Sequence, residues 1–301
     1  MEHNKQNRMV IPGTVFRIRA RAALKPMMPV VILCALIANL PSLAAQTLSI
    51  LTGSDPMTFL MSQASTTEEL YKILGSNEAI FAAFSGYLTT ERMLSLGLYV
   101  VSFLLSPVLM LGLTNALLRL LRGQEIEVTT VFSRMKQILK SIALTLLTVV
   151  KLLAWSVPGG VVMVVGMVLV LLLGQTWPLV IYLAGLVLMV AMMIRAMLHY
   201  SLATTFLADD PTVSARAAIR GSVKLMRYRK MELFTLTLSV YVWMILGSMV
   251  INLFTAIFGS VIGSTLSMVL QLIISVYMNT CHCAFYEGYR QIDAAHPDAN
   301  A

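Results

Sequence analysis

The chain has 301 residues, of which 58% are hydrophobic and only 12% are charged, and its formal net charge is +8. Soluble domains carry about twice that share of charged residues, so the composition excludes a soluble enzyme with a single anchor. Several apolar runs reach the roughly 20 residues that a helix needs to cross the bilayer core. We therefore expect one integral membrane domain, whose basic residues gather at the cytoplasmic ends of its spans and bind no nucleic acid.

The predicted fold class is all-α: a polytopic helical membrane protein with about six transmembrane helices plus a cytoplasmic amphipathic surface helix. A basic cytoplasmic segment covers residues 1–26, and a single integral membrane domain covers residues 27–288. The lead before the first span, which begins near residue 27, is too long for a signal peptide, so we expect this span to be retained. Four cations precede it and hold the N-terminus in the cytoplasm: Arg17, Arg19, Arg21 and Lys25.

An acidic stretch at about 52–92 predicts an external loop with short amphipathic helices. The second span leads into a basic cytoplasmic loop at about 119–140. The apolar region 141–207 is harder to divide, because breaks at Pro158 and near Gly174 allow two spans, three spans or a re-entrant segment. Three spans would place the following basic block outside, against the positive-inside rule, so we predict two spans, the first kinked or re-entrant at Pro158.

Two charges fall within predicted spans, and an intramembrane charge is a functional candidate by default. Lys151 lies near mid-span, where it could bind a lipid phosphate, pair with carbonyls freed at the Pro158 break, or sit shallower than the spacing indicates. Arg195 lies nearer the inner end, from which its long side chain can reach the inner headgroups.

The densest basic block falls in the predicted cytoplasmic loop at about 208–231. Asp210 followed by Pro211 is typical of a helix start, with Asp210 as the N-cap. We expect a helix that lies along the inner membrane surface, with one apolar face and one basic face. Four cations share the basic face and are the candidate lipid- or partner-binding residues: Arg216, Arg220, Lys224 and Arg227.

Two further spans precede a cytoplasmic tail at 289–301, and Tyr286 and Tyr289 resemble an interfacial aromatic belt. The run Cys281-His282-Cys283 does not predict a metal site, because neighbours two apart on a helix face different directions and no second ligand cluster exists. Walker, Rossmann and metalloprotease motifs are absent from the sequence, as is any nucleophile–base arrangement. The sequence therefore predicts no catalytic residue, no cofactor and no metal.

The segment "LADDPTVSARAAIRGSVKLMRYRKMELFTLTLSVYVW" combines an Asp-x-Pro turn, an Ala-Ile-x-x-Ser helix and a Phe-x-Leu-x-Leu-Ser span that contains Trp243. It resembles the signature of a family of bacterial integral membrane proteins known as domain of unknown function 975. The segments "ARAALKPMMP", "LLAWSVPGG" and "AFYEGY" are similar to weaker motifs of that family, in the same order. An extra apolar stretch between Pro158 and Tyr200 departs from its pattern. The matching positions include Asp210, Pro211, Ala218, Ile219, Ser222, Met226, Lys230, Phe234, Leu236, Leu238, Ser239 and Trp243.

The resemblance implies a multi-span helical protein and no reaction. We expect a multi-pass protein of the bacterial cytoplasmic (inner) membrane with both termini in the cytoplasm. Its expected role is a non-enzymatic scaffold or accessory subunit, which engages anionic inner-leaflet lipid, a protein partner or a second copy of itself through the basic helix. The alternative is a small transporter or exporter subunit, with Lys151 and the Pro158 break near its path.

Overall fold

A computed structural model of the protein describes residues 11–52, 90–227 and 229–295, and helices account for most of them. No described residue lies in a strand, which confirms the all-α prediction. The predicted external loop at 52–92 lies outside the described residues, apart from its ends. In chain order the elements are α1 (Gly13–Thr52), α2 (Thr90–Leu121), a 3-10 helix (Val128–Gln137), α3 (Ile138–Leu173), α4 (Leu179–Tyr200), α5 (Ala203–Asp209), α6 (Ala215–Leu225), α7 (Lys230–Phe258) and α8 (Ser260–Ala295).

Within the described ranges, six helical stretches are long and apolar enough to cross a membrane, which confirms the predicted number of spans. The region 141–207 divides into α3 and α4, because Gly174 ends α3 with a left-handed backbone at a φ of 61°. The six stretches are Gly13–Leu48, Met93–Leu121, Val128–Leu173, Leu179–Asp209, Lys230–Ile257 and Thr265–Asp293.

The outward faces of α3, α4 and α7 are apolar. Leu172 is 76% exposed, Val187 is 68% exposed and Ile257 is 66% exposed. A continuous apolar surface of this extent is unfavourable in water, whereas it is the expected outer surface of helices that contact lipid tails.

Glycines allow α3 and α4 to pack with their backbones in close contact. A Cβ at Gly159 would lie 2.4 Å from the Cα of Met189, and a Cβ at Gly185 would lie 2.4 Å from the backbone nitrogen of Met163. Small residues at membrane helix interfaces permit this close approach. Because α3 passes through Pro158 without interruption, the re-entrant alternative is wrong, and the neighbouring glycine serves packing instead.

The two described ends of the chain lie together, at what we call the terminal end of the bundle. The backbone N–H of Ile11 donates to the hydroxyl of Tyr289 at 3.2 Å, and the rings of Phe16 and Phe285 have centroids 5.1 Å apart. The main hydrophobic core lies at this end. It includes the buried residues Phe16, Leu117, Leu118, Leu202, Leu207, Ile219, Met226 and Phe285.

Helix α1 is longer than predicted, because residues 13–26 are also helical. Met27 has a non-helical backbone (φ −118°, ψ 20°) between Pro26 and Pro29, so a kink lies where the first span was predicted to begin. Proline is a common cause of such kinks, because it removes a backbone donor and crowds the preceding turn.

At the other end of the chain, α8 continues to Ala295, so part of the predicted cytoplasmic tail is helical. Tyr286 is 2% exposed and Tyr289 is 1% exposed, so the predicted aromatic belt is wrong for both residues. Their hydroxyls donate to the carboxylates of Asp209 and Glu232 inside the protein. Buried tyrosines usually find a hydrogen-bond partner in this way.

Candidate functional site

Three of the four predicted cations lie on α6 and are exposed, whereas Arg227 lies in the turn after α6 ends. On the opposite face Ala218 and Ser222 are fully buried, and Ile219 is 1% exposed. The amphipathic division that the helical spacing predicts is therefore confirmed. The exposed cations are Arg216, Arg220, Lys224 and Arg227.

The start of α6 differs from the prediction. Its N-cap is Ser214, whose hydroxyl accepts the backbone N–H of Ala217 at 3.3 Å. Asp210 instead forms a turn ahead of the helix, where its Oδ1 accepts the hydroxyl of Thr212 at 2.7 Å and the backbone N–H of Thr212 at 2.9 Å. These two hydrogen bonds hold the pKa of Asp210 below its usual value, and the bond from the Thr212 hydroxyl has the larger effect. The carboxylate therefore stays charged to lower pH.

The apolar face of α6 contacts protein. Ser222 Oγ donates to the carbonyl of His199, at the end of α4, at 2.7 Å. A Cβ at Gly221 would lie 2.9 Å from the ring of Phe206 in α5. An interfacial helix normally buries its apolar face in the headgroup boundary. The apolar face of α6 was predicted to lie on the membrane surface, and this part of the prediction is corrected. That face packs on other helices of the protein, and the cations of α6 are exposed on the other side.

The exposed cations of α6 have no acidic neighbours on their own helix. Among the ion pairs formed by the described residues, none involves Arg216, Arg220 or Lys224. Because the charges of Arg216, Arg220 and Lys224 are exposed and form no ion pair among the described residues, they attract anions in a manner that depends on salt.

At the last residue of α5, four charged residues join α5 to α8 and to the turn that follows α2, and we call them the ion-pair cluster: Arg122, Asp209, Glu287 and Arg290. Arg122 Nη2 lies 2.7 Å from Asp209 Oδ1 and 2.8 Å from Glu287 Oε2. Arg290 also pairs with Asp209. The side chains of Asp209 and Glu287 are only 6% and 9% exposed. Their two negative charges are matched by two guanidinium groups, which the burial of carboxylates requires.

A second polar contact joins the start of α7 to the end of α8. Arg229 binds Asp293 through both guanidinium ends, at 2.6 Å and 3.1 Å. Its guanidinium carbon also lies 4.2 Å from the centre of the Tyr289 ring. Such a bidentate, stacked arginine holds a fixed geometry. The terminal end is thus held by charge contacts around an apolar core.

Sequence reasoning did not find these ion pairs. Arg122 lies in a basic loop, and its acidic partners are separated from it by 87 and 165 positions. The available signal was the closing motif "AFYEGYR", in which Glu287 and Arg290 fall one turn apart at the end of an apolar span.

Lys151 lies beside the end of α4. Its Nζ is 5.4 Å from the centre of the Tyr200 ring, and the indole nitrogen of Trp155 donates to the hydroxyl of Tyr200 at 3.2 Å. The lysine is half-buried, and its contact is an ordinary cation–π contact. Tyr200 is the last residue of α4, so this contact joins α3 to the end of α4.

Arg195 is exposed on α4, one turn before His199, whose Nδ1 lies 2.7 Å from the Arg195 carbonyl. It interacts electrostatically with Lys230, the first residue of α7. Lys151 and Arg195 both lie near the middle of the apolar stretches that contain them, Val128–Leu173 and Leu179–Asp209.

The cysteine and histidine run of α8 contacts two different helices. The Nε2 of His282 lies 3.2 Å from the hydroxyl of Thr237 in α7, whereas Cys283 Sγ lies 4.0 Å from the carbonyl of Thr114 in α2. Side chains one or two positions apart on a helix point in different directions, as the sequence predicts for this run. Within the described ranges, no three His, Cys, Asp or Glu residues could hold a metal ion.

Comparison with known proteins gives one family. No curated protein and no solved structure matches the chain. The sequence model of one protein family, described as "Protein of unknown function (DUF975)", matches residues 45–293. The match includes α2 to α7, the ion-pair cluster and the basic helix, and it agrees with the resemblance carried by the segment around α6. The chain belongs to the DUF975 family of proteins of unknown function.

Proposed function

We propose that the protein is a non-enzymatic membrane scaffold or accessory subunit, which recruits an acidic protein segment to the exposed basic face of α6. The observation that carries this proposal is the division of α6, whose apolar face is used by the protein while its cations stay exposed. A helix that is already docked presents its charges in a fixed row, so a partner loses less freedom on binding.

An acidic protein segment fits this row better than a lipid surface. Helices that bind membranes directly bury apolar side chains in the lipid, whereas the apolar face of α6 packs against α4 and α5. The three cations of α6 run over about two helical turns, from Arg216 to Lys224, which suits a helix or extended segment with acidic residues.

The terminal end is proposed to face the cytoplasm of a bacterial inner membrane. The contacts between Ile11 and Tyr289, and between Arg122 and Asp209, support placing the basic segments at one end of the bundle. Loops rich in lysine and arginine remain in the cytoplasm. On this proposal both termini and α6 are cytoplasmic, and the turn at Gly174 is external.

Reporter fusions test this orientation. A fluorescent protein fused after Asp210 is expected to fluoresce, and alkaline phosphatase fused there is expected to be inactive. Fusions after Gly174 are expected to give the opposite pattern, since α3 separates the two sides. Phosphatase activity at Asp210 would overturn the orientation.

The binding proposal is tested by neutralising two cations one turn apart. In phosphatidylcholine nanodiscs, Arg216→Gln with Arg220→Gln is expected to weaken binding of a fluorescent polyglutamate peptide about tenfold, because two exposed charge pairs are lost. Fluorescence anisotropy measures the affinity, which should also fall with salt. In cells, a photo-crosslinker at position 224 should then capture an acidic protein that the double variant does not capture.

The matched control removes the same charge elsewhere. Arg17→Gln with Arg21→Gln neutralises two arginines one turn apart on α1 and should leave peptide affinity unchanged. Equal losses in both variants would show that only net charge matters, and would contradict the proposal. Retained affinity in the α6 variant would contradict it as well, and selective binding of α6 to anionic vesicles would favour a lipid role instead.

The transporter alternative placed its path near Lys151 and a helix break at Pro158. Helix α3 is continuous through Pro158, and Lys151 is engaged by Tyr200. The helix break that motivated this alternative is absent from α3.

A further inference from the structure

We propose that Arg17 and Arg21, with Ser239 and Tyr277, bind the phosphate headgroup of an anionic phospholipid. The site is separate from α6 and goes beyond the recruitment of a protein partner. It lies where the first part of α1 crosses α7 and α8, which contribute Ser239 and Tyr277 respectively.

The geometry brings two guanidinium groups to one place. Arg17 and Arg21 are one turn apart and share a face of α1. Arg17 Nη1 lies 3.4 Å from Ser239 Oγ, and the guanidinium carbon of Arg21 lies 5.7 Å from the centre of the Tyr277 ring. These contacts hold the guanidinium ends of both arginines and leave N–H donors of each available. Lys25 continues the same row and is exposed.

These arginines lack an anionic partner among the described residues. The ion pairs there use Arg122, Arg229 and Arg290, whereas neither Arg17 nor Arg21 takes part. Arg17 is half-buried, so its charge is partly removed from water without a carboxylate to balance it. Two oxygens of a phosphate can accept a pair of parallel N–H bonds from a planar guanidinium group.

The surroundings favour a lipid over a free phosphate. Val242 and Leu246 share the helix face of Ser239 and are 48% and 49% exposed. One turn from Tyr277, Ile273 is 40% exposed. The cations therefore lie at the edge of the lipid-exposed apolar surface, which is where headgroups meet acyl chains. A free phosphate would make no use of these apolar side chains.

Native mass spectrometry of the detergent-solubilised full chain tests the site. The protein is incubated with phosphatidylglycerol or phosphatidylcholine, and the retained lipid is counted. The wild type is expected to retain phosphatidylglycerol in preference. Arg17→Gln with Arg21→Gln should weaken that retention about 30-fold, since two cations near a headgroup are removed. Retention equal to the wild type in this variant would overturn the proposal.

Three controls separate the explanations. Arg216→Gln with Arg220→Gln lowers the net charge equally and should keep phosphatidylglycerol, so its failure to do so would assign the effect to charge alone. Arg17→Lys with Arg21→Lys keeps the charge and should bind with intermediate affinity, and full binding would contradict bidentate recognition. Inorganic phosphate should not displace the lipid, and displacement would make free phosphate the ligand. Thermal unfolding in detergent checks that the variants are folded. If the double glutamine variant of Arg17 and Arg21 does not fold, the affinity of the double lysine variant tests the proposal instead.

Because the two double variants are tested in both assays, the two proposals fail separately. Loss of peptide binding only in the α6 variant supports recruitment by α6. Loss of phosphatidylglycerol only in the α1 variant supports the lipid site, whatever the outcome for α6.

Discussion

Replacement of Arg122 by methionine is expected to destabilise the protein by about 3 kcal/mol, because a shared cation is removed from two buried carboxylates. Asp209 keeps its contact with Arg290, but among the described residues Glu287 keeps only the hydrogen bond from Gln291, whose amide nitrogen lies 3.4 Å away. The arginine itself is 34% exposed, which limits the effect through solvent screening. Loss of helical circular dichroism on heating in detergent measures the change, as a clear fall in the unfolding temperature.

A matched replacement separates the effect of losing the ion-pair cluster from the effect of losing one positive charge. Arg216→Met removes an exposed arginine without an ion pair among the described residues, and its effect should stay within about 0.5 kcal/mol. The double variant Arg122→Met with Glu287→Gln should recover part of the lost stability, because the unpaired carboxylate is neutralised. If Arg122→Met were no worse than Arg216→Met, the cluster would not hold the three helices together.

Replacement of Gly159 by alanine is expected to destabilise the pairing of α3 and α4 by about 3 kcal/mol, at the upper end of overpacking effects. The new Cβ would lie 2.4 Å from both the nitrogen and the Cα of Met189, and backbone atoms cannot move aside as a side-chain end can. The helices would have to separate along their shared face. Thermal unfolding in detergent measures the loss.

The adjacent glycine supplies the control. A Cβ at Gly160 would have no atom within 4 Å, so Gly160→Ala should be neutral or stabilising by up to about 1 kcal/mol through helix propensity. The two variants differ by one position and by nothing in composition. Equal effects would show that the backbones of α3 and α4 are not in close contact at Gly159.

Much of the fold followed from the sequence, because its signals are local. An apolar run of sufficient length predicts a span wherever it occurs, and α2, α3 and α4 all followed this rule. The two faces of α6 were equally predictable, since helical spacing alone separates Ala218 and Ile219 from Arg216 and Arg220.

Errors arose where local rules allow more than one outcome. Pro158 followed by two glycines predicts a break in the helix, yet Gly159 is where α3 packs against the backbone of Met189 in α4. Asp210 can cap a helix or close a turn before it, and the capping position went to Ser214. The position of Tyr289 near the end of a span predicts an interfacial residue. In the structure its hydroxyl instead donates to Glu232, which is distant in the sequence.

The sequence by itself determined that this is an all-helical chain with six membrane-crossing lengths and a basic amphipathic helix, because length, hydropathy and spacing act within one segment. Only the tertiary structure decided which charges are neutralised and which remain available. Arg122 and Glu287 are 165 positions apart and meet only because the end of α2 packs beside α8. Arg17 and Arg216 look alike in the sequence, and they differ because one lies against two membrane-crossing helices while the other projects from a docked helix.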